Sequence, residues 1–497
     1  MTTLHEPLIL GIDLGTGGAR GIVATMMGRV VAKASASLTP AETVCARGHE
    51  QDPHAWWAAV LRCLQELAEA LRNAGYQLAQ LTGVSVDGTS GTIVALDRAG
   101  RPLRPAIMYN DPRATAEADS LTDRARSWCA RAGYRFESSF ALPKIQWIAA
   151  HEPLVFERSA RFVHQADYIA GQLTGDYSVT DYSNALKTGF DLHESRWPGW
   201  IEQLPGVPER LPSVVSPGTP IGCVSKAAAA ATGLPAGLTV VAGATDGVAA
   251  AIASGLRVAG DYNTSLGTTL VFKGLSRDFV RDRAGLVYSH KLPGGLWLPG
   301  AASNTGAAWI AAWFADTPVK DLDRAAAPFL PSPVAAYPLV GRGERFPFNC
   351  QDAACFAMPE PNDEPERYAA YLTGTALVER LAYDVLDDVC GTSRGEVYST
   401  GGGSASDLWM QCRADVTRRV LHRPQVAESA LGSAILAASG TICPSLDEAV
   451  QTMVQIARSF VPSARTENSS LELFDRFRDE LRQRGYVARP TKKASPG

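Results

Sequence analysis

Residues 11–20 read Gly-Ile-Asp-Leu-Gly-Thr-Gly-Gly-Ala-Arg and continue an apolar run that begins at Leu8. Leu8–Leu14, Arg20–Met26 and Val30–Ser37 are short apolar or β-branched runs, separated by Gly15-Thr16-Gly17-Gly18 and by Met27-Gly28. This spacing predicts an antiparallel meander. Thr16, Gly17 and Gly18 put open backbone N–H groups and a hydroxyl where no bulky side chain intrudes, which is how a turn cradles phosphate. The Asp13 carboxylate at the strand end is a hard donor able to hold a hydrated Mg²⁺. A tight hairpin with a turn-forming Asp has the same sequence, so in isolation the two readings stand level.

Downstream, Asp52 as N-cap and Pro53 at the first helical position open a helix striped by Trp56, Val60, Leu64, Leu67 and Leu71 and closed before Gly75. Its stripe is expected to lie on the sheet, with Trp56 and Trp57 packing rather than stacking on sugar. Leu81–Asp87 is a further strand candidate, Thr92–Leu96 and Ala106–Tyr109 add β content, and Leu238–Ala242 is a buried strand that runs into a helix from Asp246. Strands, then helix, then strand predict a mixed α/β sheet. After Gly260 the pattern restarts. Thr264-Ser265-Leu266-Gly267-Thr268 echoes Ile12-Asp13-Leu14-Gly15-Thr16, and Gly267-Thr268-Thr269 offers a second cradle of open backbone and hydroxyls. The echo predicts duplicated domains whose hairpins grip one triphosphate. The expected boundaries are 1–256 for the first domain, 257–488 for the second and 489–497 for a disordered tail.

Composition narrows the partners. The 497 residues carry 47 basic and 51 acidic side chains in no long blocks, so no basic face for nucleic acid or anionic lipid is announced and a small molecule is favoured. Nine scattered cysteines with no CxxC pair predict a reduced, cytoplasmic setting and no zinc site. Residues 1–7 lack the pattern of a signal peptide, and the apolar region 227–256 is broken by Gly233, Pro235, Gly243 and Asp246, unlike a span of about 20 apolar residues. His164 and His290 have no companions at metal-ligand spacing. Oligomeric state stays open between monomer and homodimer.

Further polar clusters sit at strand ends. Asp246 in Thr245-Asp246-Gly247 is either a structural N-cap or a base whose carboxylate takes a proton from an attacking hydroxyl, and spacing alone favours the cap. Asp87, Thr89 and Ser90 in Asp87–Gly91, with Asn110 and Asp111, suit a polyhydroxylated ligand, although loop polarity has the same signature. Thr400-Gly401-Gly402-Gly403-Ser404 precedes a helix striped by Leu408, Cys412 and Val416, and such a turn lets a flat ring approach the backbone.

Taken in order, GIDLGTGGAR (11–20), DGTSGT (87–92), Tyr109–Asp111, AGATDG (242–247), SLGTT (265–269) and STGGGSAS (399–406) resemble the FGGY carbohydrate kinases over nearly the whole chain. Within them, His164–Asp167, Asp181–Lys187 and Ala302–Gly306 are similar to segments of the plant and cyanobacterial D-ribulose kinases once labelled xylulose kinases. The resemblance implies two actin-like ATPase domains of ribonuclease-H-like core flanking a cleft, with ATP and Mg²⁺ as cofactors. It implies Asp246 as catalytic base and Asp13 at the metal and sugar site. Thr16, Gly17, Gly18, Arg20, Gly267, Thr268 and Gly306 fall at the phosphates, and Gly402, Gly403 and Ser406 in the adenosine pocket. Bacterial D-xylulose kinases carry Gln-Met-His-Gly where this chain has Gly88–Gly91, so Thr89 and Ser90 replace the Met and His that touch xylulose. The expected reaction is phosphorylation of D-ribulose to D-ribulose 5-phosphate. D-xylulose or a sugar alcohol is the alternative acceptor, and an actin-like regulator or filament module the non-enzymatic alternative.

Overall fold

The computed structural model describes residues 6–38, 49–280, 282, 285–392 and 395–487, so the expected tail at 489–497 lies outside the described residues. Two compact units emerge. The first gathers Met1–Arg257, His290–Trp297 and Val426–Gln455, and the second Val258–Ser289, Leu298–Gln425 and Ile456–Gly497. A single boundary near 256 had assigned 426–455 to the second half; its contacts place it in the first unit.

In the first unit, β1 (Leu8–Gly15), β2 (Gly18–Thr25) and β3 (Val30–Ser37) form the meander. The helix α1 (Pro53–Asn73) follows, its first turn held by Asp52 accepting from the His54 N–H at 2.9 Å. Next come β4 (Leu81–Gly88), β5 (Pro220–Cys223), β6 (Thr239–Val241) and the helix α2 (Asp246–Ala253), and the sheet order is β5-β6-β4-β1-β2-β3. Both β4 and β6 run parallel to β1 because helical connections return the chain in the same direction. The even positions Leu10, Ile12 and Leu14 share a core with Trp56, Val60, Leu64, Leu67 and Leu71 of α1.

The odd positions of β1 meet the helix Ser429–Ser439. A Cβ at Gly11 would lie 1.9 Å from the Ala430 carbonyl oxygen, and one at Gly432 would lie 1.9 Å from that of Ala249 in α2. Glycine at these two places lets backbones pack at a distance no side chain permits. Ile93–Leu96 and Ala106–Ile107 join Glu50–Gln51 and Arg161–His164 in a separate four-stranded sheet.

A second, seven-stranded sheet and its helices follow: β7 (Tyr262–Leu266), β8 (Leu270–Gly274), β9 (Tyr288–Lys291), β10 (Trp297–Ser303), the helix α3 (Glu364–Cys390), β11 (Val397–Thr400), the helix α4 (Asp407–Thr417), β12 (Leu421–Pro424) and β13 (Ile456–Phe460). Its sheet order is β9-β10-β8-β7-β11-β12-β13. Strands β12, β11 and β7 are mutually parallel while β7, β8 and β10 alternate. That repeats β6-β4-β1-β2-β3 of the first unit strand for strand. The Arg413 guanidinium of α4 grips Glu379 of α3 at 2.7 Å through two nitrogens, with both side chains fully buried.

Candidate active site

The carboxyl ends of the parallel strands collect the acids of the first unit. Strand register sets Asp13 beside Asp87 across β1 and β4, and an isolated parallel bridge sets Gly88 beside Thr245. Asp13 accepts from Arg20 Nη1 at 2.9 Å, a partner delivered by the antiparallel register that opposes the two residues. Asp87 is fully buried; its Oδ2 accepts from Ser433 Oγ at 2.7 Å, and its Oδ1 has no protein partner among the described residues. Burial pushes the Asp87 carboxyl well above the usual carboxylate range and the charge of Asp13 adds to it, with the Ser433 hydrogen bond opposing and Asp246 contributing a further push.

Asp246 opens α2, and the cap position belongs to Thr245, whose backbone is extended. Asp246 thus stands next to the cap as the first residue of the helix, in keeping with a position at or near the N-cap. Its Oδ1 accepts from the Gly247 N–H at 2.7 Å, and the side chain is only half-buried. Thr245 is held in turn: its N–H donates to Ser183 Oγ at 3.0 Å, and Ser183 donates to Asp181. Burial and the nearby Asp167 raise the Asp181 carboxyl to about 6.

In the β1–β2 turn, Thr16 and Gly17 are exposed, while their carbonyls accept from Gln51 Nε2 and the Leu38 N–H, both at 2.9 Å. Gly18 has φ +147°, and a Cβ there would lie 2.2 Å from the Ala36 carbonyl oxygen, so only glycine closes this turn.

The predicted sugar-binding loops divide. Ser90 Oγ is buried without a partner among the described residues, and its loop is pinned by the buried Lys144 ammonium, which donates to the Gly91 and Ser139 carbonyls at 2.9 and 3.0 Å. Thr89 is committed internally, its N–H and hydroxyl both donating to Gln165 Oε1 at 2.9 and 2.7 Å. Asn110 is exposed. Asp111 is buried in an ion pair with Arg113 at 2.7 Å. Although burial works to raise its carboxyl, the hydrogen bonds from Arg113 and the His49 N–H hold it below the ordinary value. Asp111 thus anchors its loop, since Arg113 also pairs with Glu50 at 2.6 Å.

In the second unit, parallel pairing of Ser265 with Thr400 brings the Gly267–Thr268 turn alongside the glycine run. Gly401 has φ +83° and packs on the Leu266 backbone, and a Cβ at Gly403 would lie 2.4 Å from Leu266 Cγ. Gly402 has open space around its Cβ position, the kind of backbone a planar ring can approach. Ser406 caps α4, accepting from the Trp409 N–H at 3.1 Å and donating to Asp323 at 2.7 Å, so its hydroxyl is structurally engaged. Gly306 lies against the turn, where a Cβ would stand 2.5 Å from the Thr268 carbonyl oxygen. Buried Glu344 fixes that approach, accepting from Ser303 Oγ at 2.8 Å, Thr305 Oγ1 at 3.0 Å, Tyr337 OH at 2.8 Å and the Asn304 N–H at 2.6 Å.

Sequence reasoning missed Ser433, Gln165 and Glu344. Ser433 sits in an alanine-rich helix that reads only as core, and Glu344 and Gln165 act on partners far away in sequence. Among the described residues no group of three His, Cys, Asp or Glu side chains forms a metal cage, the cysteines are free thiols, and no helix is long and apolar enough to cross a membrane.

One sheet occurring twice, acid-lined in one copy and lined by glycine, serine and threonine in the other, defines a phosphoryl-transfer enzyme of actin-like ATPase architecture. The chain belongs to the FGGY family of carbohydrate kinases: residues 8–253 match the family's N-terminal domain and residues 262–441 its C-terminal domain. It is 28% identical to xylulose kinase from Bacillus subtilis, covering 95% of this chain and 96% of the relative. With xylulose kinase from Streptomyces rubiginosus the identity is 30%, over 88% of this chain and 89% of that protein. The crystal structure of xylulose kinase from Rhodospirillum rubrum superimposes with TM-score 0.82 at 27% identity, covering 96% and 98% of the two chains.

Proposed function

We propose that the protein uses ATP to phosphorylate the terminal hydroxyl of an open-chain ketopentose, with D-xylulose as the first acceptor. The names of the curated relatives support that acceptor, against the sequence expectation of D-ribulose. D-ribulose remains the second reading because Thr89 and Ser90 stand where the resemblance places the Met-His pair of bacterial D-xylulose kinases.

The observation that carries the kinase reading is the position of Asp246. A half-buried carboxylate opens α2 beside the Asp13–Asp87 pair, where the helix N-terminus favours its negative charge. The substrate hydroxyl oxygen bonds to the γ-phosphorus as that atom's bond to the bridging oxygen breaks. Its proton passes to Asp246, and ADP departs with the electron pair. Asp13 and Asp87 accept sugar hydroxyls and fix the nucleophile's direction, while the Gly267-Thr268 turn and Gly306 present uncharged donors to phosphate oxygens. A magnesium ion fits this donor set, because one or two carboxylates with water and phosphate oxygens are its usual ligands; Asp13 would hold it, and when bound it neutralises triphosphate charge.

The test is ADP release from Mg-ATP with D-xylulose, D-ribulose, L-ribulose, L-xylulose, ribitol and glycerol. Strong stimulation by D-xylulose supports the first reading, and by D-ribulose alone the second. Release unaffected by every sugar would sink both.

A further inference from the structure

A directional chain of hydrogen bonds ends beside the acids of the first unit. The Tyr109 N–H donates to Thr92 Oγ1 at 3.2 Å, Thr92 and Thr89 hydroxyls lie 2.7 Å apart, and Thr89 Oγ1 donates to Gln165 Oε1 at 2.7 Å. A backbone amide only donates and an amide oxygen only accepts, so the polarity of the chain is fixed: Thr92 gives its proton to Thr89, and Thr89 gives its own to Gln165. The Thr89 N–H also donates to the same oxygen at 2.9 Å. These two bonds settle the Gln165 amide orientation, leaving its Nε2 with two protons to donate.

Gln165 is fully buried, and Nε2 has no partner among the described residues. A buried amide N–H left unpaired is unfavourable, a penalty a binding partner removes. Its surroundings identify that partner. A Cβ at Gly88 would lie 3.3 Å from Gln165 Oε1, and Gly88 bridges to Thr245, next to Asp246. Asp87 precedes Gly88 with a carboxylate oxygen, Oδ1, that no described residue bonds, and Ser90 Oγ, two residues beyond, likewise has no partner among the described residues. Around one glycine, therefore, lie a fixed donor, an acceptor and a hydroxyl that does either. A polyol or hydroxyketone complements such a set.

We propose that Gln165 is a specificity-determining residue whose Nε2 donates to an oxygen of the bound sugar, with Thr89 and Thr92 serving to hold the amide in that orientation. The inference rests on the sugar-kinase reading, and it gives Thr89 a different part from the direct contact expected from the sequence. Carbonyl or hydroxyl oxygens accept from Nε2, whereas a deoxygenated carbon does not.

Q165E keeps an oxygen for Thr89 and replaces the donor by an acceptor. The expected result is a sugar KM raised tenfold or more and an ATP KM within twofold of wild type in a variant that folds. Unchanged sugar KM in a variant that melts normally overturns the proposal. If Q165E does not fold, Q165M is measured in the same way, and failure of both to fold assigns Gln165 a purely structural part and also overturns it. Wild-type protein inactive toward every sugar would instead defeat the kinase reading, so the two failures are distinguishable.

Discussion

The two hairpins share their topology and differ in charge. In the first, Asp13 lies near the end of β1, three residues before Thr16, and pairs across the parallel ladder with Asp87. In the second, Ser265 stands three residues before Thr268 and pairs across the same kind of ladder with Thr400. One sheet edge is acidic and the other neutral. An acidic edge accepts hydroxyl protons and repels phosphate; a neutral edge of hydroxyls and open backbone welcomes phosphate and has no base to offer. The same strand order occurs twice, and at matching register positions one copy carries two carboxylates where the other carries two hydroxyls.

The largest expected effect removes the base. Asp246→Asn should lower kcat about 10²–10⁴-fold, with ATP KM and melting temperature near wild type because Asp246 is half-buried at a helix start. Retained kcat would break the assignment of proton transfer to the acidic edge. A smaller effect follows from making the edges alike. Ser265→Asp should raise ATP KM roughly tenfold, equivalent to about 1.4 kcal/mol, and leave sugar affinity untouched. Equal changes in both constants would show that the neutral edge is not reserved for nucleotide.

The smallest effect concerns pH. The Asp87 carboxyl is raised by burial and by Asp13, so it favours the folded state only while protonated. That contribution is present below the ordinary carboxylate pKa and is lost as pH rises through the raised value. Asp181, at about 6, behaves alike between about 4 and 6. Wild-type melting temperature should therefore fall as pH rises from about 4 through 6 and onward for as long as Asp87 stays protonated, and Asp87→Asn should flatten the decline by about 2 °C or more. An identical slope in the variant would mean that Asp87 keeps its charge in the fold.

The meander, the capped helix α1 and the echoing hairpins were legible because local rules govern them: two-residue alternation, an Asp-Pro start and Gly-Thr turns. Asp246 was legible as a residue at a strand-to-helix junction, at or next to the cap position. Partners set by the sheet were not legible. Register decides that Asp13 meets both Arg20 and Asp87, burial decides that Asp111 anchors a loop, and the long-range bond to Asp323 commits the Ser406 hydroxyl. Ser433 lay furthest out of reach, since its bond to Asp87 joins residues 346 apart.

That separation sets a timetable. At a synthesis rate of about 5–20 residues per second, a ribosome needs roughly 20–70 s to travel from Asp87 to Ser433. For that interval the nascent first unit holds its acidic pair and the cramped glycine faces of β1 without the helix that covers them. A chaperone that shields this face during translation would meet it long before the helix Ser429–Ser439 does.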